Sequence, residues 1–147
     1  TEILSVECDV LAPCAMGAIV NEKTLSSFKT PIICGGANNQ LLELRHGNAL
    51  EEMGILYAPD YIVNAGGLMN VFVELEGYSQ SRAFDKTKRV YDNLKQVFKI
   101  AKRDKIPTYM AADRLAEERI KTVAKLKQKH PGKSNRSFTT LREINNR

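Results

Sequence analysis

Three short stretches of small residues hold the groups best suited to ligand chemistry: Ala12-Pro-Cys-Ala15, Gly35-Gly-Ala-Asn-Asn39 and Asn64-Ala-Gly-Gly67. Small side chains let a ligand approach the backbone closely, and each asparagine amide offers both a donor and an acceptor. That pairing matches a carboxamide, or a carboxylate beside an amine. Each stretch also has a plain structural reading. Glycine pairs after a strand serve turn geometry, and an asparagine beside them can cap a helix. Their repetition at three successive strand ends favours a ligand site over three unrelated turns.

Other reactive side chains are sparse. Cys8, Cys14 and Cys34 sit in apolar surroundings, and His46 and His130 are far apart in sequence. No metal-ligand spacing results, so neither a metal site nor a disulfide framework is expected. Each cysteine is expected as a lone buried thiol, in keeping with a reducing, cytoplasmic setting.

The elements that must position the three clusters follow from apolar spacing. Cys8–Cys14, Pro31–Ala37, and Ile55–Ala58 followed by Tyr61–Ala65 are short apolar runs. They suit strands buried on both faces, as in a parallel sheet, each followed by a helix. Residues 40–53 predict an amphipathic helix through Leu41, Leu42, Leu44, Leu50 and Met53, with Gly47 as its weak point. The run Leu68, Met69, Val71, Phe72 and Leu75 is apolar nearly all round and predicts a deeply buried helix. Beyond it, Phe84, Tyr91, Leu94, Phe98 and Ala101 form one stripe of a helix of about six turns. Ser79 or Ser81 is placed to cap it, and it stops near Asp104-Lys105. Pro107 opens a further helix that Pro131-Gly132 ends, and the residues after it read as loosely ordered.

The element string is β–α–β–α–β–β–α–α–α, an α/β fold with a parallel sheet, whose ligands sit at the carboxyl ends of strands. The 147 residues fit one ordinary domain, and 43% hydrophobic with 27% charged residues is globular composition. No run approaches the roughly 20 apolar residues of a membrane span, and no signal peptide is expected. The chain opens at Thr1 without an initiator methionine and reads as a piece of something longer.

Net charge is +5, spread unevenly: residues 114–147 hold ten Lys/Arg against three Asp/Glu. A basic tail can be a nucleic-acid footprint, but this one lacks interleaved aromatics and has the spacing of a solvated helix face. Nucleic acid is not the expected partner.

Four segments carry a resemblance. Cys8-Asp-Val-Leu-Ala-Pro-Cys-Ala15, Gly36-Ala-Asn-Asn-Gln-Leu41, Tyr57-Ala-Pro-Asp-Tyr-Ile-Val-Asn-Ala-Gly-Gly67 and Ala111-Ala-Asp-Arg-Leu-Ala-Glu-Glu-Arg119 occur in that order. Together, over roughly residues 4–122, the chain resembles the C-terminal, NAD-binding portion of the glutamate/leucine/phenylalanine/valine dehydrogenase family, closest to its leucine branch. The resemblance implies the C-terminal half of a Rossmann-like parallel sheet followed by long C-terminal helices. Residues 1–78 would form the partial dinucleotide-binding domain, 79–130 a helical pair and 131–147 a basic tail.

The activity implied is NAD-dependent oxidative deamination of an apolar L-amino acid, leucine first and valine or phenylalanine next. Its products would be the 2-oxo acid and ammonia, in a homo-oligomeric parent enzyme. By resemblance, Cys14 and Ala15 line the cofactor near its ribose and nicotinamide. Gly36 and Asn38 lie beside the nicotinamide, with Asn38 also close to the substrate, and Leu68 and Val71 shape the side-chain pocket. Leu68 departs from the valine usual in the leucine branch and matches phenylalanine-selective relatives.

Two departures limit the expectation. The family's catalytic lysines and aspartate belong to an N-terminal domain with no counterpart here, so no catalytic residue is assigned. Lys23, Lys29 and Lys86 are surface lysines and not substitutes. The Gly-x-Gly-x-x-Gly turn that seats a pyrophosphate on a helix N-terminus is also absent. The isolated chain is therefore expected to be inactive, to bind NAD weakly or not at all, and to self-associate through an unpaired sheet edge. The alternative is a natural non-catalytic half-protein acting as an interaction or regulatory module.

Overall fold

The structure, a computed structural model, describes residues 2–129. Strands β1 (Ile32–Ile33) and β2 (Leu56–Tyr57) pair in parallel, with Ile32 opposite Leu56 and Ile33 opposite Tyr57. Leu11 adds a third parallel segment by bridging Ile33 on the other side. Its N–H donates to Ile32 O and its carbonyl accepts from Cys34 N–H, both at 2.9 Å. The spatial order is Leu11, Ile33, Tyr57, with β1 in the middle. A second parallel bridge joins Val20 to Leu41.

The helices are α1 (Leu44–Glu52), α2 (Asp60–Val63), α3 (Ala65–Leu75), α4 (Gln80–Asp104) and α5 (Thr108–Lys129). Two compact units divide at Leu115/Ala116. Within the first, Leu11, Val20, Phe28, Ile33, Leu50, Ile55 and Tyr57 form one apolar cluster around the sheet. A buried side chain of this kind contributes about 1.5–3 kcal/mol through removal from water. A second cluster joins Val97 and Ile100 of α4 to Ala111 and Ala112 of α5.

Helix α1 starts later than its apolar spacing predicts. Glu43 occupies the N-cap and forms a reciprocal capping box with His46. The buried His46 ring accepts the Glu43 N–H on Nδ1 at 3.0 Å, and its Nε2 lies 3.1 Å from Glu22. Gly47 proves a packing requirement, since a Cβ there would lie 2.5 Å from the Tyr109 ring.

Tyr61–Ala65, expected as a strand, is helical from Asp60. Pro59 at the N-cap and Asp60 in the first turn are helix-start chemistry, and a short apolar run does not by itself separate strand from helix. No α-helix lies between Leu11 and β1; a 3₁₀ turn at Leu25–Ser27 stands in its place. Helix α3 is not deeply buried. Only Val73 is, while Leu68, Val71, Phe72 and Leu75 are exposed. Its apolar surface exceeds what α4 covers.

Helix α4 spans the length its periodicity predicts. Ser79 is its N-cap residue, yet the hydroxyl bonds Ser81 and not the backbone. Its inward line runs through Ala83, Val90, Leu94, Val97 and Ala101, leaving Phe84 and Tyr91 exposed. Lys105, in the left-handed region at φ 53°, closes it, and the Lys105 and Ile106 N–H groups both return to Ala101 O. Asp104 then accepts from Arg103 on its own helix and from Arg114 on α5. Thr108 donates to Tyr57 O at 2.6 Å, fastening the start of α5 to β2. The expected stop at Pro131-Gly132 and the basic tail lie outside the described residues.

Candidate functional site

Because Leu11, Ile33 and Tyr57 run in parallel, the segments that follow them emerge on the same side of the sheet. Pro13 and Gly35 touch there. Ala37 N–H donates to Pro13 O at 2.9 Å, and a Cβ on Gly35 would lie 2.1 Å from that same oxygen. Only glycine fits. Gly36 N–H points at Cys14 Sγ, 3.5 Å away, and on its open side a Cβ would meet nothing nearer than that sulfur at 3.9 Å.

The Asn64 side chain joins the third cluster to the second. Its Nδ2 donates to Asn38 Oδ1 at 2.5 Å and reaches Gly36 O at 3.4 Å. A carbonyl can only accept, so the Asn64 atom facing Gly36 O is the nitrogen. The Asn38 atom meeting that nitrogen is then its oxygen. What remains on exposed Asn38 is an outward NH₂ with two donors. The site therefore presents fixed donors to an acceptor oxygen on a ligand.

Asn64 is also the N-cap of α3, and Leu68 and Val71 follow it at four and seven residues. That spacing puts all three on one helical face. Leu68 is 76% and Val71 51% exposed, an apolar strip running away from the amide pair. The α3 helix is held by α4: Gly66 faces Thr87, and Lys86 lies over the Phe72 ring at 4.3 Å while pairing with Glu76. Lys86 is thus engaged in packing.

All six sequence-nominated residues, Cys14, Ala15, Gly36, Asn38, Leu68 and Val71, are exposed. Direct contacts link Cys14 with Gly36, and Asn64 links Gly36 with Asn38. The expectation of three buried thiols is corrected: Cys14 is exposed, and Cys8 and Cys34 are half-buried. Cys14 lies past the end of its strand, where nothing covers it. Burial, with Cys14 nearby, raises the Cys34 thiol pKa above its ordinary value.

Sequence reasoning placed Asn64 in a cluster without nominating it, and missed Gln40 and Asp60 altogether. The signal was a polar Gln40 closing the Gly35–Asn39 run immediately before Leu41-Leu42, where its burial had no apolar motive. A small cavity adjoining the second cluster is lined by Asn39, Tyr57, Asp60, Tyr61, Tyr109 and Asp113. On its rim the Tyr61 hydroxyl is shared between Tyr109 O and Asp113 Oδ1. Burial and these carboxylates push the Tyr57 and Tyr61 hydroxyls well above the usual phenolic range. Among the described residues, no group of three or more His, Cys, Asp or Glu could hold a metal ion. No described helix is long and apolar enough to cross a membrane.

Residues 1–129 match the family model for glutamate/leucine/phenylalanine/valine dehydrogenase. The chain is 57% identical over 124 residues to leucine dehydrogenase of Geobacillus stearothermophilus, covering 84% of this chain and 34% of that protein. It is 47% identical over 125 residues to phenylalanine dehydrogenase of Caldalkalibacillus thermarum, covering 85% and 34%. The crystal structure of L-tryptophan dehydrogenase from Nostoc punctiforme superposes with a TM-score of 0.82 at 46% identity, over 84% of this chain and 37% of that one. The chain thus spans about a third of the length of these relatives. By the extent of that match, this chain belongs to the glutamate/leucine/phenylalanine/valine dehydrogenase family.

Proposed function

We propose that this chain is the C-terminal, cofactor-side part of an NAD-dependent amino-acid dehydrogenase. Its sheet would be the second half of a Rossmann-like fold. The whole protein would oxidise an apolar L-amino acid, leucine first and valine or phenylalanine next, to the 2-oxo acid and ammonia. One observation carries the reading: Asn64 clamps Gly36 and Asn38 at the carboxyl ends of parallel strands, beside the apolar Leu68–Val71 strip. Ligands of open parallel sheets bind at that end.

The residues present fit one end of NAD. Open space over Gly36 admits a flat ring, and the outward Asn38 NH₂ suits a carboxamide or carboxylate oxygen. Cys14 and Ala15, exposed beside Gly36, would border the ribose. For the pyrophosphate, the sequence holds no Gly-x-Gly-x-x-Gly turn of the kind that seats it on a helix N-terminus. When bound, NAD supplies a hydride acceptor. This chain's part is to orient and to exclude water: Asn38 donates to the ligand oxygen, Asn64 holds that amide in one orientation, and Leu68 and Val71 line the side-chain pocket. Proton transfer falls to residues outside this chain.

Residues 1–78 would serve as the partial dinucleotide domain, 79–130 as the helical pair and 131–147 as the basic tail. The parent is expected to be a cytoplasmic homo-oligomer. The test is to assay the whole protein that carries this segment for NAD reduction with leucine, valine and phenylalanine. Turnover of an apolar amino acid is expected there, with none from the isolated 147 residues. Turnover by the 147-residue chain alone, or none by the whole protein with any of the three, would overturn the reading.

A further inference from the structure

The loop bearing Gly36 and Asn38 is gripped from both sides, and the inner grip belongs to a residue with no exposed surface. Gln40 is completely buried. Its Nε2 donates to Gly35 O at 2.7 Å and to Ala37 O at 3.0 Å, the carbonyls on either side of Gly36. Both partners are pure acceptors, so the amide cannot be turned round. Its backbone N–H donates to Asp60 Oδ2 at 3.0 Å, while Asp60 Oδ1 accepts Tyr61 N–H at 2.8 Å. Asp60 is itself buried at the start of α2, the short helix whose C-cap is Asn64.

These bonds close a circuit. From Gln40 the path runs through Asp60 and α2 to Asn64, and from Asn64 back across Gly36 and Asn38 to Gln40. The carbonyls of Gly35, Gly36 and Ala37 are all taken by side-chain amides. One further observation separates this from ordinary packing. Gln40 Oε1 is buried with no hydrogen-bond partner. An unmade buried acceptor is costly, and an apolar side chain of the same length would avoid it. The group that earns the position is therefore the Nε2 clamp.

We propose that Gln40 is a positioning residue, fixing the Gly36–Asn38 loop in the shape that receives the cofactor's nicotinamide end, with Asp60 as its anchor. The inference rests on the dehydrogenase reading above. It deepens that reading by assigning loop geometry to two residues that touch neither cofactor nor substrate.

The test uses Gln40→Met and Gln40→Glu in the whole protein. Methionine keeps the length, removes the orphaned acceptor and abolishes the clamp; glutamate turns an oxygen toward two carbonyls. Expected for Gln40→Met is a KM for NAD raised tenfold or more with the KM for ammonia in the reverse reaction near wild type, and a lower Tm because the Gly35 and Ala37 carbonyls lose their donor. Gln40→Glu should raise the same KM and lower Tm as well. A merely structural role would lower Tm in Gln40→Met and leave the KM for NAD unchanged, and that result overturns the proposal.

A second readout needs no turnover. In ¹H–¹⁵N spectra, the Gly36 backbone amide and the Asn38 and Asn64 side-chain NH₂ signals should shift or broaden in Gln40→Met. Wild-type-like signals at all three positions would refute the clamp whatever the activity. Inactivity of the unmutated protein, with those signals still responding to Gln40→Met, would instead remove the dehydrogenase reading and leave the clamp standing.

Discussion

Two asparagines have different parts in the proposed site, and substitution separates them. Removing Asn38 removes the outward donors, so Asn38→Ala should weaken both the cofactor and the substrate steps, with kcat/KM falling about a hundredfold in steady-state assays of the whole protein. Asn64→Ala leaves Asn38 in place with its amide free to turn. A smaller loss is expected, about tenfold, concentrated in KM. Equal losses would mean that Asn64 does more than orient its neighbour. On the α3 strip, Leu68→Ala enlarges the expected pocket wall. The ratio of kcat/KM for phenylalanine over leucine should rise by about tenfold, since a few methylenes carry no more selectivity than that. No change would place Leu68 outside the pocket.

At the scale of elements, the joints are electrostatic and respond to acid. Arg103, with Arg114, holds the Asp104 carboxyl down at about 2 against an ordinary 3.8. Glu22 is lowered by a backbone hydrogen bond and by His46, and Glu43 by Arg45. A carboxyl depressed by folding stabilises the native state above its unfolded value, and that contribution disappears as pH falls through the folded one. Thermal melts should therefore lose Tm from about pH 4.5 down to about pH 2. In Asp104→Asn that acid slope should be shallower; an unchanged slope would remove Asp104 from the account. Packing sets a second joint, where Gly47→Ala drives a methyl into the Tyr109 ring and should cost about 1–3 kcal/mol in denaturant unfolding.

The same joints mark what the sequence made legible. Helix α4 and the start of α5 were readable because 3.6-residue spacing runs long and Pro107 punctuates it. The strand ends were readable because small residues cluster there. Asp60 defeated the pattern: Pro59-Asp60 reads as a break between two strands, yet the carboxylate buries itself on Gln40 N–H and opens a helix. Exposure of α3 was hidden for another reason. An all-round apolar helix announces that it will be covered, and periodicity says nothing of whether the cover lies within the same chain.

At the scale of the molecule, the row Leu11, Ile33, Tyr57 leaves the Leu11 edge unpaired among the described residues. Leu11 directs its N–H and C=O to β1, so by strand geometry the neighbouring Val10 and Ala12 groups face away from it. Val10 is half exposed there, and α3 offers Leu68, Phe72 and Leu75 to solvent. The isolated chain is expected to self-associate, and Ala12→Pro, which removes a donor on that edge, should shift it toward monomer in sedimentation velocity. Monomer throughout for the unmutated chain would count against the free edge. The parallel row also bears on the order in which the chain folds. Its three segments lie about twenty residues apart, and each pairing must close a loop of that size before it gains anything. The α4–α5 corner closes through residues 105–107 alone. Pulsed hydrogen exchange during refolding should find the amides of α4 protected first and Leu11 N–H among the last, so the proposed ligand surface would be finished only after the helices far along the chain have set.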